Sequence, residues 1–206
     1  MTFVRDKLFT YGLAYIEAKD LEGGKIFKSY NIIPDVLETI PPKFLEIIFE
    51  PNLKADRGTI LTPTQAIRPP DIYYKALPNA YYTIMMIDPD VPSRSSPMFR
   101  SYQHWLIVNI PGDQLEKGDD VVEYIGPIPS KNTGLHRYVF ILYKQPHKLV
   151  QKETRVPNNS GNGRRYFNAS LFAKKHNLGL PIAANFFLSE WDEYVPVAYK
   201  QLAGNR

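Results

Sequence analysis

The sequence predicts a domain built around β-strands, in which sheets stack on one another or lie under helices. The main evidence is three apolar runs of strand length, at residues 81–87, 105–110 and 137–143. They are rich in Ile, Val, Tyr and Phe, which favour strands. The runs are nearly continuous in apolar residues, which indicates that both faces of each strand are covered.

The composition limits the class of protein. A chain of 206 residues is long enough for one ordinary domain with a substantial core. It contains no cysteine, which excludes disulfides, thiolate metal ligands and a cysteine nucleophile, and suits a reducing compartment. The 25 basic and 21 acidic residues give a net charge of +4, and the basic residues are scattered, which argues against nucleic-acid binding.

The chain has no sequence feature that predicts insertion into a membrane or secretion. No run approaches the ~18 continuous apolar residues of a membrane span. The first 22 residues include Asp6, Glu17, Asp20 and Glu22 among the apolar ones, unlike a secretory signal. We therefore expect a cytoplasmic protein, and a monomer.

Residues 1–30 are predicted to form an amphipathic helical arm ahead of a domain at residues 31–206. Apolar residues recur in the arm at spacings of four and three, which places them on one face of a helix that Gly23 and Gly24 would end. This stripe comprises Val4, Leu8, Tyr11, Tyr15 and Ala18. Packing on the domain's own core and contact with a partner or a membrane surface are both consistent with it.

Two short elements are predicted next. Asp35 and Glu38 have the spacing of a capped helix, which Pro41 and Pro42 would stop. Residues 44–49 have the pattern of a strand.

Three elements are predicted near the C-terminus. Residues 168–177 have a helical pattern that Gly179 would end, and residues 185–188 have the pattern of a short strand. A final helix is predicted to begin near Pro196, because proline is favoured in the first turn.

Two polar loops, residues 88–105 and 126–138, have the same design. Each is rich in proline and places one histidine, His104 or His136, near the start of an apolar run. Asp88 directly follows the strand before the first loop, so its carboxylate and the two imidazoles would converge if the strands are neighbours. Tyr102 and Tyr138 add hydroxyl groups, and an apolar wall would come from Pro92, Phe99 and Pro129.

Imidazole and hydroxyl donors beside an apolar wall suit a small anion, such as a phosphate or carboxylate, that carries an apolar tail. Two histidines and an aspartate are also the ligand set of a facial-triad iron site, and Asp with His is two-thirds of a hydrolase triad. The sequence lacks the spacings that accompany either enzyme class. Burial of both histidines as core residues is the remaining alternative.

The polar run at residues 157–165 is predicted to be a surface turn. It contains Gly161, Asn162 and Gly163, but it lacks the strand-then-helix context of a dinucleotide site.

Four motifs, in order, give the chain a family resemblance. They are DPDVPSR (88–94) with the histidine of QHW (103–105), G-x-x-P-x-K-x-T-G-L-H-R-Y (126–138), EWDEYVP (190–196) and, upstream, LTPTQ (61–65). From about residue 33 to 202 the sequence resembles the phosphatidylethanolamine-binding proteins, the group that includes the Raf kinase inhibitor proteins.

The resemblance implies a mainly β fold, with a large central antiparallel sheet, a smaller sheet on one side and short helices on the other. It implies a small pocket for anionic head groups, such as those of phosphatidylethanolamine-like lipids or nucleotides, and no catalysis, cofactor or metal. It also implies peripheral membrane contact and a kinase or serine protease as partner. Carried over by motif, the pocket residues are Asp88, Val91, Pro92, His104, Pro129, His136, Tyr138 and Tyr199.

Several positions depart from the commoner animal pattern of that family. Phe99 and Tyr102 stand where many members have tyrosine and tryptophan, and we include both in the predicted site. Gln103 replaces a histidine, and Ser130 replaces a proline. Leu171 aligns with a phosphorylatable serine of the kinase-inhibiting relatives, which puts that regulation in doubt.

Overall fold

The computed structural model describes residues 24–150 and 152–204, and these form two stacked β-sheets with short helices. The smaller sheet has the strand order β2-β1-β4 and the larger sheet β3-β9-β8-β5-β6-β7. The strands are β1 (Glu46–Phe49), β2 (Leu53–Lys54), β3 (Thr59–Ile60), β4 (Asp71–Tyr73), β5 (Tyr81–Asp88), β6 (Tyr102–Pro111), β7 (Asp119–Val122), β8 (His136–Lys144) and β9 (Ala183–Ser189).

The described helices are short. Residues 24–29 (α1) are helical, and α2 (Ile32–Asp35), α3 (Ala169–Lys175) and α4 (Val195–Leu202) follow. Two 3₁₀ turns lie at Thr64–Ala66 and Leu115–Lys117. Within the described ranges, no helix is long and apolar enough to cross a membrane.

Both faces of the larger sheet are buried, which confirms the interpretation of the apolar runs. In β8, Val139 and Ile141 pack on the side that carries Phe27 of α1 and the α3 helix. Phe140 and Leu142 point to the other side, which carries the smaller sheet. Because successive strand residues alternate between two apolar layers, the strand has no polar face.

The mainly β fold and its two sheets are as predicted. One pair of strands differs from the expected antiparallel arrangement of the large sheet. The neighbouring strands pair antiparallel except at one edge, where β3 pairs parallel to β9. β6 starts at Tyr102, three residues before the predicted strand, so His104 lies inside it and does not open it. The predicted strand at 44–49 begins only at Glu46, and Phe44 makes an isolated bridge to Ala184.

Three predictions concern the N-terminal part of the chain. The helix predicted to start at Asp35 is wrong, because α2 ends there and the Asp35 carboxylate binds Arg137 and Arg100 instead of capping a helix. Residues 24–29 are helical, so Gly24 lies within a helix, while the predicted helix ahead of Gly23 lies outside the described residues. Most of the predicted arm, residues 1–23, lies outside the described residues.

The C-terminal elements agree with the sequence pattern. Asn168 caps α3, because its side chain accepts a hydrogen bond from the backbone N–H of Leu171. Pro196 lies in the first turn of α4, where the missing N–H costs nothing.

Candidate functional site

A buried ion pair fixes the loop after β5 to the start of β8. The Arg137 side chain is buried, and its Nε and Nη2 donate to the Asp90 carboxylate at 2.9 and 2.6 Å. Nη2 also donates to Asp35 at 2.8 Å, and Nη1 donates to the carbonyl oxygens of Tyr30 and Asn31. Five donated bonds satisfy the guanidinium, as a buried charge requires. The pair therefore sets the position of Asp88 relative to His136.

His136 is held between a carboxylate and a hydroxyl. Its Nδ1 lies 2.8 Å from Oδ2 of Asp88, and its Nε2 lies 2.9 Å from Oγ1 of Thr133. The Thr133 hydroxyl donates its proton to the Ser130 carbonyl oxygen at 2.7 Å, so it accepts from Nε2. Both ring nitrogens are then placed to donate, which favours the imidazolium form. Burial disfavours that charge, but the hydrogen bond and charge of Asp88 prevail and raise the pKa of His136.

His104 has the opposite charge state. Its Nδ1 lies 3.1 Å from the carbonyl oxygens of both Ile125 and Gly126, so Nδ1 carries a proton and donates. Its Nε2 is buried and has no partner among the described residues. Burial lowers the pKa of His104 to about 4, against the nearby charge of Asp88. The ring is therefore neutral at pH 7.

A glycine lets the LTPTQ segment (residues 61–65) and the second loop meet. A Cβ on Gly126 would lie only 2.6 Å from the carbonyl oxygen of Ala66, which directly follows that segment. The absent side chain lets the two backbones pass, which places the Gly126 carbonyl against His104. Two motifs separated by 60 residues thus support one histidine.

A cleft of about 610 Å³ opens beside this network, and we call it the His136 cleft. Of the ten predicted site residues, five line it: Val91, Pro92, Tyr102, His136 and Tyr199. Aromatic and proline residues from four parts of the chain therefore meet at one surface.

The other five predicted residues do not line the cleft. Asp88 is buried behind His136, and His104 and Tyr138 are buried with ring centroids 5.1 Å apart. Pro129 is buried between Ile128 and Ser130, which do line the cleft. Phe99 lies at the rim, where its ring contacts Tyr166 and Arg165.

Sequence reasoning missed the contribution of the polar run 157–165. Gly161, Asn162, Gly163 and Arg165 of this run line the cleft, together with Tyr166. The run is rich in turns, as predicted, but it is folded back against the sheet. The two consecutive arginines were the available signal, since basic residues in an excursion near an anion pocket are candidate ligands.

Arg164 explains why the run folds back. Its buried guanidinium donates to five backbone carbonyl oxygens, including those of Ser160, Gln103 and Glu123. No carboxylate pairs with it within the described residues, and burial lowers its pKa to about 10. The side chain thereby ties the run to β6 and leaves its neighbour, Arg165, facing the cleft.

One departure from the family pattern supplies a hydroxyl at the rim. The Tyr199 hydroxyl of α4 donates to the Ile128 carbonyl oxygen at 3.0 Å and lies 3.1 Å from Oγ of Ser130. Because the tyrosine proton is already donated, Ser130 is the donor in that second bond. A proline at position 130 could not make it, so Ser130 adds a link between α4 and the second loop.

The two enzyme alternatives from the sequence, a metal site and a hydrolase triad, can be compared with the geometry. Among the described residues, no group of three His, Asp or Glu side chains is placed to hold a metal ion. Thr133, His136 and Asp88 do form a chain of hydrogen bonds like that of a hydrolase triad. However, the threonine proton points to Ser130, and an imidazolium has no lone pair with which to remove it.

Comparisons with known proteins agree with this fold. The family model described as "Phosphatidylethanolamine-binding protein" matches residues 52–187. A relative from Drosophila melanogaster, named "Putative odorant-binding protein A5", is 38% identical over 192 residues, which cover 93% of this chain and 91% of the relative.

Two solved structures are also similar. The solution structure of CG7054 has a TM-score of 0.69 and 39% identity and covers 84% of this chain and 98% of its own. Carboxypeptidase Y inhibitor, complexed with its cognate proteinase, has a TM-score of 0.72 over 84% of this chain and 97% of its own; at 24% identity it shows the fold alone. The family model covers well over half of the 206 residues, and the chain therefore belongs to the phosphatidylethanolamine-binding protein family.

Proposed function

We propose that this protein is a non-enzymatic binding protein that takes the anionic, phosphate-bearing head group of a small molecule or lipid in the His136 cleft. The observation that carries the proposal is the charge of the lining. His136 and Arg165 line the cleft, and none of the lining residues is an aspartate or glutamate. An anion entering it meets the Arg165 guanidinium and the imidazole of the His136–Asp88 pair, whose carboxylate lies behind the ring and does not line the cleft, which favours binding.

Donors and apolar surface are both available to such a ligand. The Tyr102 hydroxyl and the Arg165 guanidinium have no hydrogen-bond partner among the described residues, and both face the cleft. Arg165 suits a phosphate because its guanidinium can donate two parallel bonds. Val91, Pro92 and Ile128 supply an apolar wall for the remainder of the ligand.

The role of His136 in this proposal is electrostatic. Its two N–H groups are already donated to Asp88 and Thr133, so it attracts an anion as a fixed positive charge. Fixed charge in a partly desolvated cleft interacts more strongly than it would in water. This arrangement favours binding over proton transfer, because the proton has no empty acceptor to move to.

The matched family and the Drosophila relative are both named as binding proteins, which supports the proposal at the level of protein class. Binding to a kinase or a serine protease stays a prediction, as do peripheral membrane contact, the monomeric state and the cytoplasmic location.

Calorimetric titration with O-phosphorylethanolamine tests the proposal. We expect saturable binding to the wild type, and about tenfold weaker binding after Arg165→Gln, since a charged hydrogen bond contributes about 1.5 kcal/mol. Arg68→Gln is the matched control, because Arg68 is exposed and pairs with Glu50 in the smaller-sheet region. Equal affinities of the wild type and Arg165→Gln would contradict the assignment.

His136→Ala adds a second readout, with His147→Ala as its control because His147 is exposed. We expect weaker binding only in the first. Thermal unfolding of both variants shows whether any loss of binding reflects loss of the fold.

A further inference from the structure

A recess of about 440 Å³ lies beside β6 and β7 of the larger sheet, and we call it the Gln103 recess. Its walls come from β6, β7, residues 153–156, the polar run 157–165 and α3. None of the ten predicted site residues lines it. Its volume lies within the range of small-molecule sites.

Adjacent residues of β6 face the recess and the His136 cleft. Tyr102 lines the cleft, whereas Gln103 lines the recess, because successive side chains of a strand point to opposite faces. The lining residues common to the two spaces are Asn162 and Gly163, which belong to the polar run 157–165. The recess is therefore a separate space that shares one wall with the cleft.

An unpaired amide group lies in this recess. Only 4% of Gln103 is exposed, and its Nε2 is buried without a hydrogen-bond partner. Its Oε1 likewise accepts no hydrogen bond from residues 24–150 or 152–204. Burial of an unpaired amide is costly, and most buried polar groups in folded proteins have a partner. The Gln103 amide therefore keeps its donors and its acceptor for a molecule that enters the recess.

The main chain holds this amide in position. The backbone N–H of Gln103 donates to the Arg164 carbonyl oxygen at 2.7 Å, and the Gln103 carbonyl oxygen accepts from Nη1 of Arg164 at 3.2 Å. On its other side β6 pairs with β5, where Gln103 lies opposite Ile87. A group on a fixed backbone loses little freedom when it binds a ligand, which favours affinity.

Apolar residues form the larger part of the surface around the amide. The rings of Phe167 and Phe172 pack with their centroids 5.8 Å apart. Apolar walls around a few hydrogen-bonding groups are the usual composition of a small-molecule site. The apolar lining residues, apart from proline and glycine, are Leu106, Val121, Val122, Val156, Phe167 and Phe172.

The charges that line the recess balance. One acid, Glu153, and one base, Arg155, line it. Glu153 pairs with Lys175 and His176, and Nη1 of Arg155 donates to the Asp120 carbonyl oxygen at 2.8 Å. A charged ligand would lose hydration there without gaining an unpaired opposite charge, so an uncharged molecule suits the recess better.

We propose that the Gln103 recess is a second binding site, which takes a small uncharged molecule with an apolar body and a hydroxyl group. A hydroxyl both donates and accepts, so it can pair with Oε1 or, after rotation of the amide, with Nε2. The apolar body rests on Phe167, Phe172 and the neighbouring aliphatic side chains. This proposal does not depend on anion binding in the His136 cleft.

NMR titration of the 206-residue chain with benzyl alcohol tests the proposal. Ethylbenzene, which has a methyl group in place of the hydroxyl, is the isosteric comparison. We expect benzyl alcohol to shift the Gln103 side-chain amide and the methyl resonances of Leu106 and Val121 saturably. The methyl resonances of Val91 report on the His136 cleft and should not move. Absence of saturable binding, or shifts confined to Val91, would overturn the proposal.

Gln103→Met separates the hydrogen bond from the apolar contact, because methionine has about the same length and no amide. We expect benzyl alcohol to bind this variant about fivefold more weakly, the ratio that one neutral hydrogen bond supplies. Ethylbenzene should bind it no more weakly than the wild type. The readout is the ratio of the two affinities in each protein, and an unchanged ratio would refute the assignment.

Gln114→Met is the matched control, because Gln114 is exposed and does not line the recess. It should leave both affinities unchanged, and an effect equal to that of Gln103→Met would contradict the proposal. Thermal unfolding checks the fold of both variants. Gln103→Met should fold, because the Gln103 amide makes no hydrogen bond that the change could break.

Thr154→Trp provides a second test that does not alter the buried amide. Thr154 lines the recess and is exposed, so a bulky ring at this position should obstruct the entry of both compounds. We expect at least tenfold weaker binding of benzyl alcohol and of ethylbenzene. Binding of both compounds with wild-type affinity would contradict their placement in the Gln103 recess.

Discussion

Nδ1 of His136 lies 2.8 Å from Oδ2 of Asp88, and both side chains are almost completely buried. The pair is oriented so that the imidazole faces the cleft and the carboxylate lies behind it. The remaining oxygen of Asp88 accepts the backbone N–H of Asp90 at 2.7 Å, so the carboxylate is fixed by its own loop. The charge therefore depends on a contact between residues 48 positions apart.

Replacement of Asp88 by asparagine should remove this charge. The raised pKa of His136 depends on the Asp88 carboxylate, so the variant ring should be neutral at pH 7. We expect a loss of about 3 kcal/mol in the free energy of unfolding, as for other broken buried pairs, and weaker phosphate binding. Urea denaturation and an NMR titration of His136 measure the two effects. An unshifted His136 pKa in the variant would contradict the proposed imidazolium.

Anion affinity should depend on pH through His136. Its pKa is raised above the ordinary 6.5, so the ring stays charged below that value and loses its proton as the pH rises through the higher folded-state pKa. We expect affinity to be constant below pH 6.5 and to decrease above it. Dimethyl phosphate is the appropriate ligand, because its own charge does not change in this range. A flat profile would show that neutral donors make the contact.

His104 should make the protein less stable in acid. Its pKa is lowered to about 4 by burial, against 6.5 in an unfolded chain. The unfolded state therefore binds the proton first, and stability that is complete above pH 6.5 is lost as the pH falls toward 4. The loss should be on the order of 3 kcal/mol, at about 1.4 kcal/mol per pKa unit.

The difference between the wild type and His104→Gln isolates this effect, because other titrating groups are common to both proteins. We expect the variant to lose less stability between pH 6.5 and 4 in chemical denaturation. Parallel curves for the two proteins would rule out His104 as the source.

Arg164 should stabilise the fold, whereas Arg165 should not. Arg164→Met would leave several buried carbonyl oxygens without donors, at a cost of about 3 kcal/mol in the free energy of unfolding. Limited proteolysis should then cut the run at residues 157–165 sooner than in the wild type. Arg68→Met, an exposed change, is the control, and we expect less than about 0.5 kcal/mol from it. Equal protease resistance of Arg164→Met and wild type would contradict the anchoring role.

Local patterns predicted the strands and several boundaries correctly. The apolar runs identified β5, β6 and β8 because burial on both faces leaves a composition that is visible in a few consecutive residues. Asn168 and Pro196 marked the starts of α3 and α4, because capping and proline placement act within one turn. The capped helix at Asp35 was wrong because Asp35 is bound by Arg137, which is distant in sequence.

The sequence predicted that Asp88, His104 and His136 converge if their strands are neighbours, and the strand order β8-β5-β6 meets that condition. Asp88 ends β5, His136 opens β8, and His104 lies inside β6. Their charge states came from the folded structure, because burial and hydrogen-bond partners set a pKa and both depend on distant residues. The same holds for Arg164 and Arg165: adjacent in the chain, one is buried among carbonyl oxygens and the other faces the cleft. Which of two identical side chains faces a ligand depends on packing, and packing is not encoded in any single stretch of residues.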